Sequence, residues 1–174
     1  MKKSLLGLAA GVVGVVLASS GPAAAAAAAP SPRLVGTFAS TFTVTSTTYG
    51  TVGARYSEQL HFSPKCATGP CTTRAAYTPN EVGLSHVRLT PAGSTYAGRG
   101  TYTAACFDQQ GNVIDFHGYN VAETLSLTVL NTTQGKATDI RGTDKTVTTL
   151  TDSGRQANCD RQGTVVYSVA GTRV

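Results

Sequence analysis

The sequence predicts an all-β fold, a single antiparallel barrel of about eight strands or a β-sandwich, behind a cleaved leader. Three observations predict it. The chain is rich in threonine, has 19 glycines and only 13% charged residues, a composition suited to pleated, half-buried surfaces joined by turns. Apolar and hydroxylic residues alternate along most segments, and a period of two marks strands that cover a core on one side. Turn formers interrupt these runs about every 8–12 residues, the spacing of a sandwich or an up-and-down barrel.

The N-terminus fixes the expected compartment. Lys2 and Lys3 precede a 14-residue apolar run from Leu5 to Ala18. That is shorter than the roughly 20 residues of a spanning helix and fits the apolar region of a secretory signal. The tract Ala23–Ala29 then offers small-residue cleavage frames, so 1–29 reads as a signal peptide and 30–174 as one mature domain. The expected product is secreted, without a stable membrane anchor. Without Lys2 and Lys3, 12 basic residues face 9 acidic ones, a net charge of +3. These charges are scattered, whereas a nucleic-acid surface needs Lys and Arg clustered on one face. No nucleic-acid partner is expected, and the domain reads as a monomer.

The elements follow in order. In "TFASTFTVT" (37–45), Phe38, Ser40, Phe42 and Val44 alternate with threonines, so one face is mostly apolar. Residues 54–62 repeat the pattern with Ala54, Tyr56, Leu60 and Phe62, interrupted by Glu58. Further strands are expected at 71–78, 84–90, 94–107, 124–130, 137–143, 145–151 and 163–171, separated by Thr78-Pro79-Asn80, Pro91-Ala92-Gly93, Gln110-Gly111-Asn112, Asp152-Ser153-Gly154 and Arg161-Gln162-Gly163. One segment is double-edged. In "NVAETLSLTVL", Val121, Leu125 and Val129 have helical spacing behind a capping box of Asn120 and Glu123, but Leu125, Leu127 and Val129 also alternate with Ser126 and Thr128. The β-branched content favours a strand. Residues 108–119 read as a long loop or irregular hairpin.

Four cysteines, Cys66, Cys71, Cys106 and Cys159, lie in the mature part. A zinc ribbon needs two short-spaced pairs, and a redox motif needs C-x-x-C at a helix start; neither pattern is present. An even number in an exported chain reads as structural disulfides. Closing the small Cys66–Cys71 ring is entropically favoured over longer alternatives, and the Gly69-Pro70 turn brings its ends together. That leaves Cys106–Cys159 as the second bridge.

The order "LHFSPKCATGPC", "YAGRGTYTAAC", "TLSLTV", "ATDIRGT", Cys159 and "VVYSV" resembles small exported actinobacterial β-domains. Such domains occur alone or on the outer side of receptor-type serine/threonine kinases. The resemblance covers about Tyr56 to Val169 and implies a calycin-like barrel that binds or senses, with no catalytic signature.

Candidate chemistry is sparse. Glu58 shares the parity of Tyr56, Leu60 and Phe62 and so points inward, which would mark a ligand cavity, an internal ion pair or a barrel mouth. Tyr96 and Tyr102 share one parity along "STYAGRGTYTAACF" and could stack on a ligand together with Tyr56. Asp115 and His117 fall on one face of an extended segment; His61 or His86 from a neighbouring strand would complete a zinc or copper site, although surface imidazoles are the plainer reading. No metal or other cofactor is expected. No G-x-S-x-G elbow or Gly-rich phosphate loop is present. The expected role is therefore non-catalytic binding of a small molecule, an envelope component or a protein. A small hydrolase using Glu58, or Asp115 with His117, is the alternative. A protease-inhibitor-like protein presenting the Lys65–Thr72 loop is the third.

Overall fold

The computed structural model describes residues 31–78, 86–160 and 162–174. The expected leader, the turn at Pro79 and Asn80, Glu81 and Arg161 lie outside the described residues. Eight strands form: β1 (Gly36–Thr47), β2 (Arg55–Pro64), β3 (Thr73–Thr78), β4 (His86–Ala92), β5 (Thr95–Phe107), β6 (Val113–Thr133), β7 (Lys136–Leu150) and β8 (Gly163–Arg173). Each pairs with its sequence neighbour, and β8 returns antiparallel to β1, so the sheet closes into an up-and-down barrel. Closure removes both sheet edges, and it selects the barrel over the sandwich.

The meander sends alternate connections to opposite ends. The β1–β2, β3–β4, β5–β6 and β7–β8 connections lie at one end, the mouth. The β2–β3, β4–β5 and β6–β7 connections lie at the other, the base, with the start of β1 and the end of β8.

Strand parity decides what fills the interior. Phe38, Leu60, Phe62, Ala75, Val87, Leu89, Leu125, Leu127, Ile140 and Val169 make a continuous buried core, with Phe38 and Phe62 edge to face at a centroid distance of 5.3 Å. A fully buried Leu, Ile or Phe contributes about 1.5–3 kcal/mol, so this core carries the fold. The segment before β1 seals the base. Leu34 is fully buried; Tyr96 Oη donates to Pro32 O at 2.7 Å and accepts from Leu34 N at 3.3 Å. Arg33 docks on the β6–β7 hairpin by donating to Gly135 O at 2.8 Å and accepting from Ala137 N at 2.9 Å. That hairpin turns through Gln134 and Gly135, both at positive φ (52° and 73°), the conformation that two-residue hairpins favour.

Two disulfides stabilise the domain, Cys66–Cys71 in the β2–β3 loop and Cys106–Cys159 between β5 and the β7–β8 connection, with Cα separations of 6.2 and 5.9 Å. They sit at opposite ends of the barrel. Arg33 Nη2 donates to Cys66 O at 2.5 Å, pinning the small ring to the sealed base.

Several elements differ from expectation. The runs at 137–143 and 145–151 are one strand of 15 residues, because Asp144 between them faces inward in register and makes no turn. Gly142 lies on the same strand, where a Cβ would sit 1.9 Å from Ser126 O; the glycine permits close strand approach rather than a break. Of the two readings for 108–119 the irregular hairpin holds: a tight turn joins β5 to β6, with register shifts around Cys106. The Asp108 carboxylate accepts from Gln110 N at 2.9 Å and Asn112 N at 2.8 Å and so replaces a longer loop. Asp152-Ser153-Gly154 opens a one-turn helix, α1 (Asp152–Gln156), rather than a simple turn, because Thr151 Oγ1 accepts from Gly154 N at 2.9 Å. Residues 120–130 are strand, so Asn120 and Glu123 form no capping box.

Candidate functional site

The barrel is filled unequally. Towards the base the inward residues are apolar and buried. Towards the mouth Phe42, Glu58, Tyr77, Tyr102, Glu123, Asp144 and Tyr167 enter the lining, supplied by seven different strands, beside a second buried cluster of Cys106, Tyr119, Val121 and Cys159. Tyr77, Tyr102 and Tyr167 have inward parity yet remain partly exposed, so the upper lumen opens to solvent. Phe42 packs at 5.7 Å from Tyr77 and 6.1 Å from Tyr167, and Tyr167 lies 6.3 Å from Tyr56, centroid to centroid. A chain of four rings therefore runs from the interior to the rim.

Beneath the rings lies an acidic pair. Glu123 and Asp144 are only 2% and 4% exposed. Tyr77 Oη sits between them, 2.5 Å from Glu123 Oε1 and 3.0 Å from Asp144 Oδ2. The phenol has one proton and can donate to only one carboxylate at a time; the second contact needs a proton on a carboxyl group. Asp144 supplies it: burial first, then the Glu123 charge, pushes its carboxyl up to about 8, against the opposing pull of Tyr77. The neutral-pH arrangement is thus one anion and one neutral acid bridged by a phenol. Asp144 Oδ1 is buried and has no hydrogen-bond partner among the described residues.

The phenols register the same field. Tyr77 is raised far above its ordinary value by burial and by Asp144 and Glu123. Tyr102 is raised by burial and then by Glu123 and Asp144. Tyr167 is pushed up to about 12, by burial and then by Tyr49 and Asp144.

The residues singled out from sequence fall in three places. Glu58 and Tyr56 have the inward parity expected, but they stand at the mouth and are exposed, Tyr56 by 51%. The recorded β2–β3 pairing begins only at Gln59, so this end of β2 rises above its described neighbour. Glu58 still acts on the interior, adding to the rise of Asp144, Tyr102 and Tyr167. Tyr102 lines the upper lumen. Tyr96 does not: its hydroxyl is committed to Pro32 and Leu34 at the sealed base, where it holds the plug.

Asp115 and His117 lie on β6 below the hairpin turn, away from that cluster. Asp115 Oδ1 accepts from His117 N at 2.8 Å; a hydrogen bond from Ser153 first, and this one second, hold the carboxyl below its usual range. The neighbours of β6 are β5 and β7, whereas His61 and His86 belong to β2 and β4. His61 Nδ1 instead pairs with Thr37 Oγ1 at 3.0 Å. Among the described residues no group of three or more His, Cys, Asp or Glu is placed to hold a metal ion.

Sequence reasoning missed Tyr77, Asp144, Tyr167 and the inward role of Glu123. Parity held the signal. Glu123 shares the face of Val121, Leu125 and Leu127, and Asp144 that of Ile140 and Thr148.

Two other surface features flank this site. A shallow concavity of about 430 Å³ lies along the β5–β7 wall, lined chiefly by Thr101, Thr103, Asn120, Ala122, Val147 and Thr149. It lacks the convergent charged groups that orient a ligand. The β5–β6 hairpin stands at the mouth and exposes Phe107, Val113, Ile114 and Phe116.

Fold and site together define a class: a closed, eight-stranded, disulfide-stabilised up-and-down barrel with an aromatic mouth over a buried carboxyl pair. Compared with protein-family models, curated proteins and solved structures, the chain matches none.

Proposed function

We propose that this protein is a secreted, non-catalytic binding domain that takes a small molecule into the mouth of its barrel. The observation that carries this reading is the change of lining: an apolar, sealed base gives way to solvent-reached tyrosines and buried acids at the open end. Pockets that combine apolar walls with a few convergent polar groups are the usual form of small-ligand sites. Two disulfides fit an oxidising compartment, in line with the leader.

The geometry gives a hydrolase reading little support. Glycoside hydrolysis needs a scissile bond between two carboxyl groups, and here Tyr77 occupies the space between Glu123 and Asp144. Glu58 stands apart at the rim, and the Asp115 carboxylate is engaged by His117 N and Ser153. A second reading, docking of a protein or envelope component, is favoured by the exposed Phe107, Val113, Ile114 and Phe116 of the hairpin.

The test is an amide NMR titration of the oxidised protein with a small-molecule fragment set of mixed charge. Lumenal binding shifts the amides of Phe42, Tyr77, Tyr102, Glu123, Asp144 and Tyr167. Shifts confined to residues 107–116 would replace this reading with the docking one, and no shift at the mouth by any fragment would remove it.

A further inference from the structure

We propose that the ligand of the upper lumen is a small organic cation, a quaternary or protonated amine held by aromatic faces over the carboxyl pair. This rests on the mouth being a ligand site at all; the step beyond is the sign and shape of the ligand.

Three observations carry it. First, the walls are rings. Tyr77, Phe42, Tyr167 and Tyr56 form a connected series with centroid spacings of 5.7, 6.1 and 6.3 Å, and Tyr102 has inward parity on β5, packed against the Cys106, Tyr119, Val121 and Cys159 cluster. Aromatic faces attract a cation placed within about 6 Å of their centroids and gain most where water is excluded. An anion there would meet the negative faces of the same rings.

Second, the field is of one sign. Among the described residues, the carboxyl groups and phenols that act through charge on Asp144, Tyr77, Tyr102 and Tyr167 all raise the group they act on, and the one lowering contribution among these side chains is the Tyr77 hydrogen bond to Asp144. An anionic ligand would add to that repulsion and a cation relieves it.

Third, an acceptor stands unused. Asp144 is 4% exposed, and its Oδ1 has no hydrogen-bond partner among the described residues, although Oδ2 is engaged by Tyr77. A buried carboxyl oxygen without a donor is unfavourable, and either the N–H of a protonated amine or the hydroxyl of a quaternary ligand such as choline can supply that donor. The acids and the rings come from β1, β2, β3, β5, β6, β7 and β8, so the arrangement is made by barrel closure and is not a local surface acidic patch.

The test uses choline and its carbon isostere 3,3-dimethylbutan-1-ol, which have the same shape and differ in the positive charge. The chain contains no Trp, so emission comes from its seven tyrosines, Tyr77, Tyr102 and Tyr167 among them, and amide NMR locates the site. The expected result is saturable binding of choline at the mouth, at least about tenfold tighter than the neutral isostere and weakened by salt, as screening of a charge demands. Tyr102→Leu should weaken choline about 3- to 30-fold, the range of one cation–aromatic contact, and leave the neutral compound nearly unaffected. Should that variant fold poorly, Glu58→Gln at the exposed rim gives a second reading, with a smaller loss for choline alone.

Equal binding of the two compounds at the mouth would overturn the cation assignment and leave the ligand-site reading standing. Failure of choline while other fragments shift the mouth amides would do the same. Failure of every fragment at the mouth would overturn both.

Discussion

Replacing Asp144 with asparagine should make the barrel more stable at pH 8 and flatten its dependence on pH. The Asp144 carboxyl is pushed up to about 8 in the folded state by burial and by Glu123, whereas an exposed aspartate titrates near 3.9. Between about pH 5 and 8 the folded protein therefore holds a proton that the unfolded chain has released. Stability then falls as pH rises, by at most about 1.4 kcal/mol per pH unit for one proton, or about 3–4 kcal/mol from pH 5 to pH 8. Above that window the loss levels off. Because Tyr77 joins the two carboxyls, the titration belongs to the Glu123–Asp144 pair. Asp108, Asp115 and Asp139 are held below their ordinary values by hydrogen bonds, so their linkage is confined below about pH 5 and leaves the window clear. Asp144→Asn preserves the shape of the side chain, and its amide can donate to Tyr77 Oη. Urea unfolding at pH 5, 6, 7 and 8, with disulfides intact, measures the slope from the midpoint and m-value. A wild-type stability that is flat or rises over this range would refute the reasoning. So would a slope surviving in both Asp144→Asn and Glu123→Gln.

Three further outcomes are expected. Replacing Cys106 and Cys159 with serine should cost about 4 kcal/mol by the loop-entropy relation, for a bridge with a sequence separation of 53. The Cys66/Cys71 pair, with a separation of 5, should cost about half that; denaturant midpoints that rank the other way would contradict it. Gly98→Ala would place a Cβ 1.8 Å from Arg88 O, a backbone atom, and overpacking of this kind costs about 1–3 kcal/mol. An unchanged thermal midpoint would show that the β4–β5 approach is slack. Tyr77, Tyr96, Tyr102 and Tyr167 are all raised above the ordinary phenol value. Absorbance at high pH should therefore show fewer tyrosinates in the folded protein than in denaturant, with stability falling as pH rises above about 10. Simultaneous ionisation of all seven tyrosines with the barrel intact would count against the site.

Much of the barrel is legible locally, because a closed meander asks little beyond strands that alternate and turns that reverse. The face of Phe38, Phe42 and Val44 against threonines needs only the period-two pattern. Asp144 falls in the gap between the expected strands 137–143 and 145–151 for the same local reason: an acid between two threonine-rich runs carries no inward signal until β6 and β8 hold it in register opposite Leu125 and Tyr167. The cluster of Tyr77, Glu123 and Asp144 joins residues 46 and 67 positions apart. Parity says each faces inward, but only the stagger of strands around the barrel brings them to one height. Glu58 shows the converse. Its parity is readable, while its exposure depends on its height along β2, near the mouth. Tyr96 and Tyr102 share a strand and a face, yet six residues along β5 separate the plugged base from the open mouth.

The seam between β1 and β8 has a consequence for presentation. Val174 N donates to Thr37 O at 3.0 Å, so the first and last strands begin and finish side by side at the sealed base. Anything joined beyond Val174, whether a tether, a surface or another domain, is attached at that base, the end of the barrel opposite the aromatic opening.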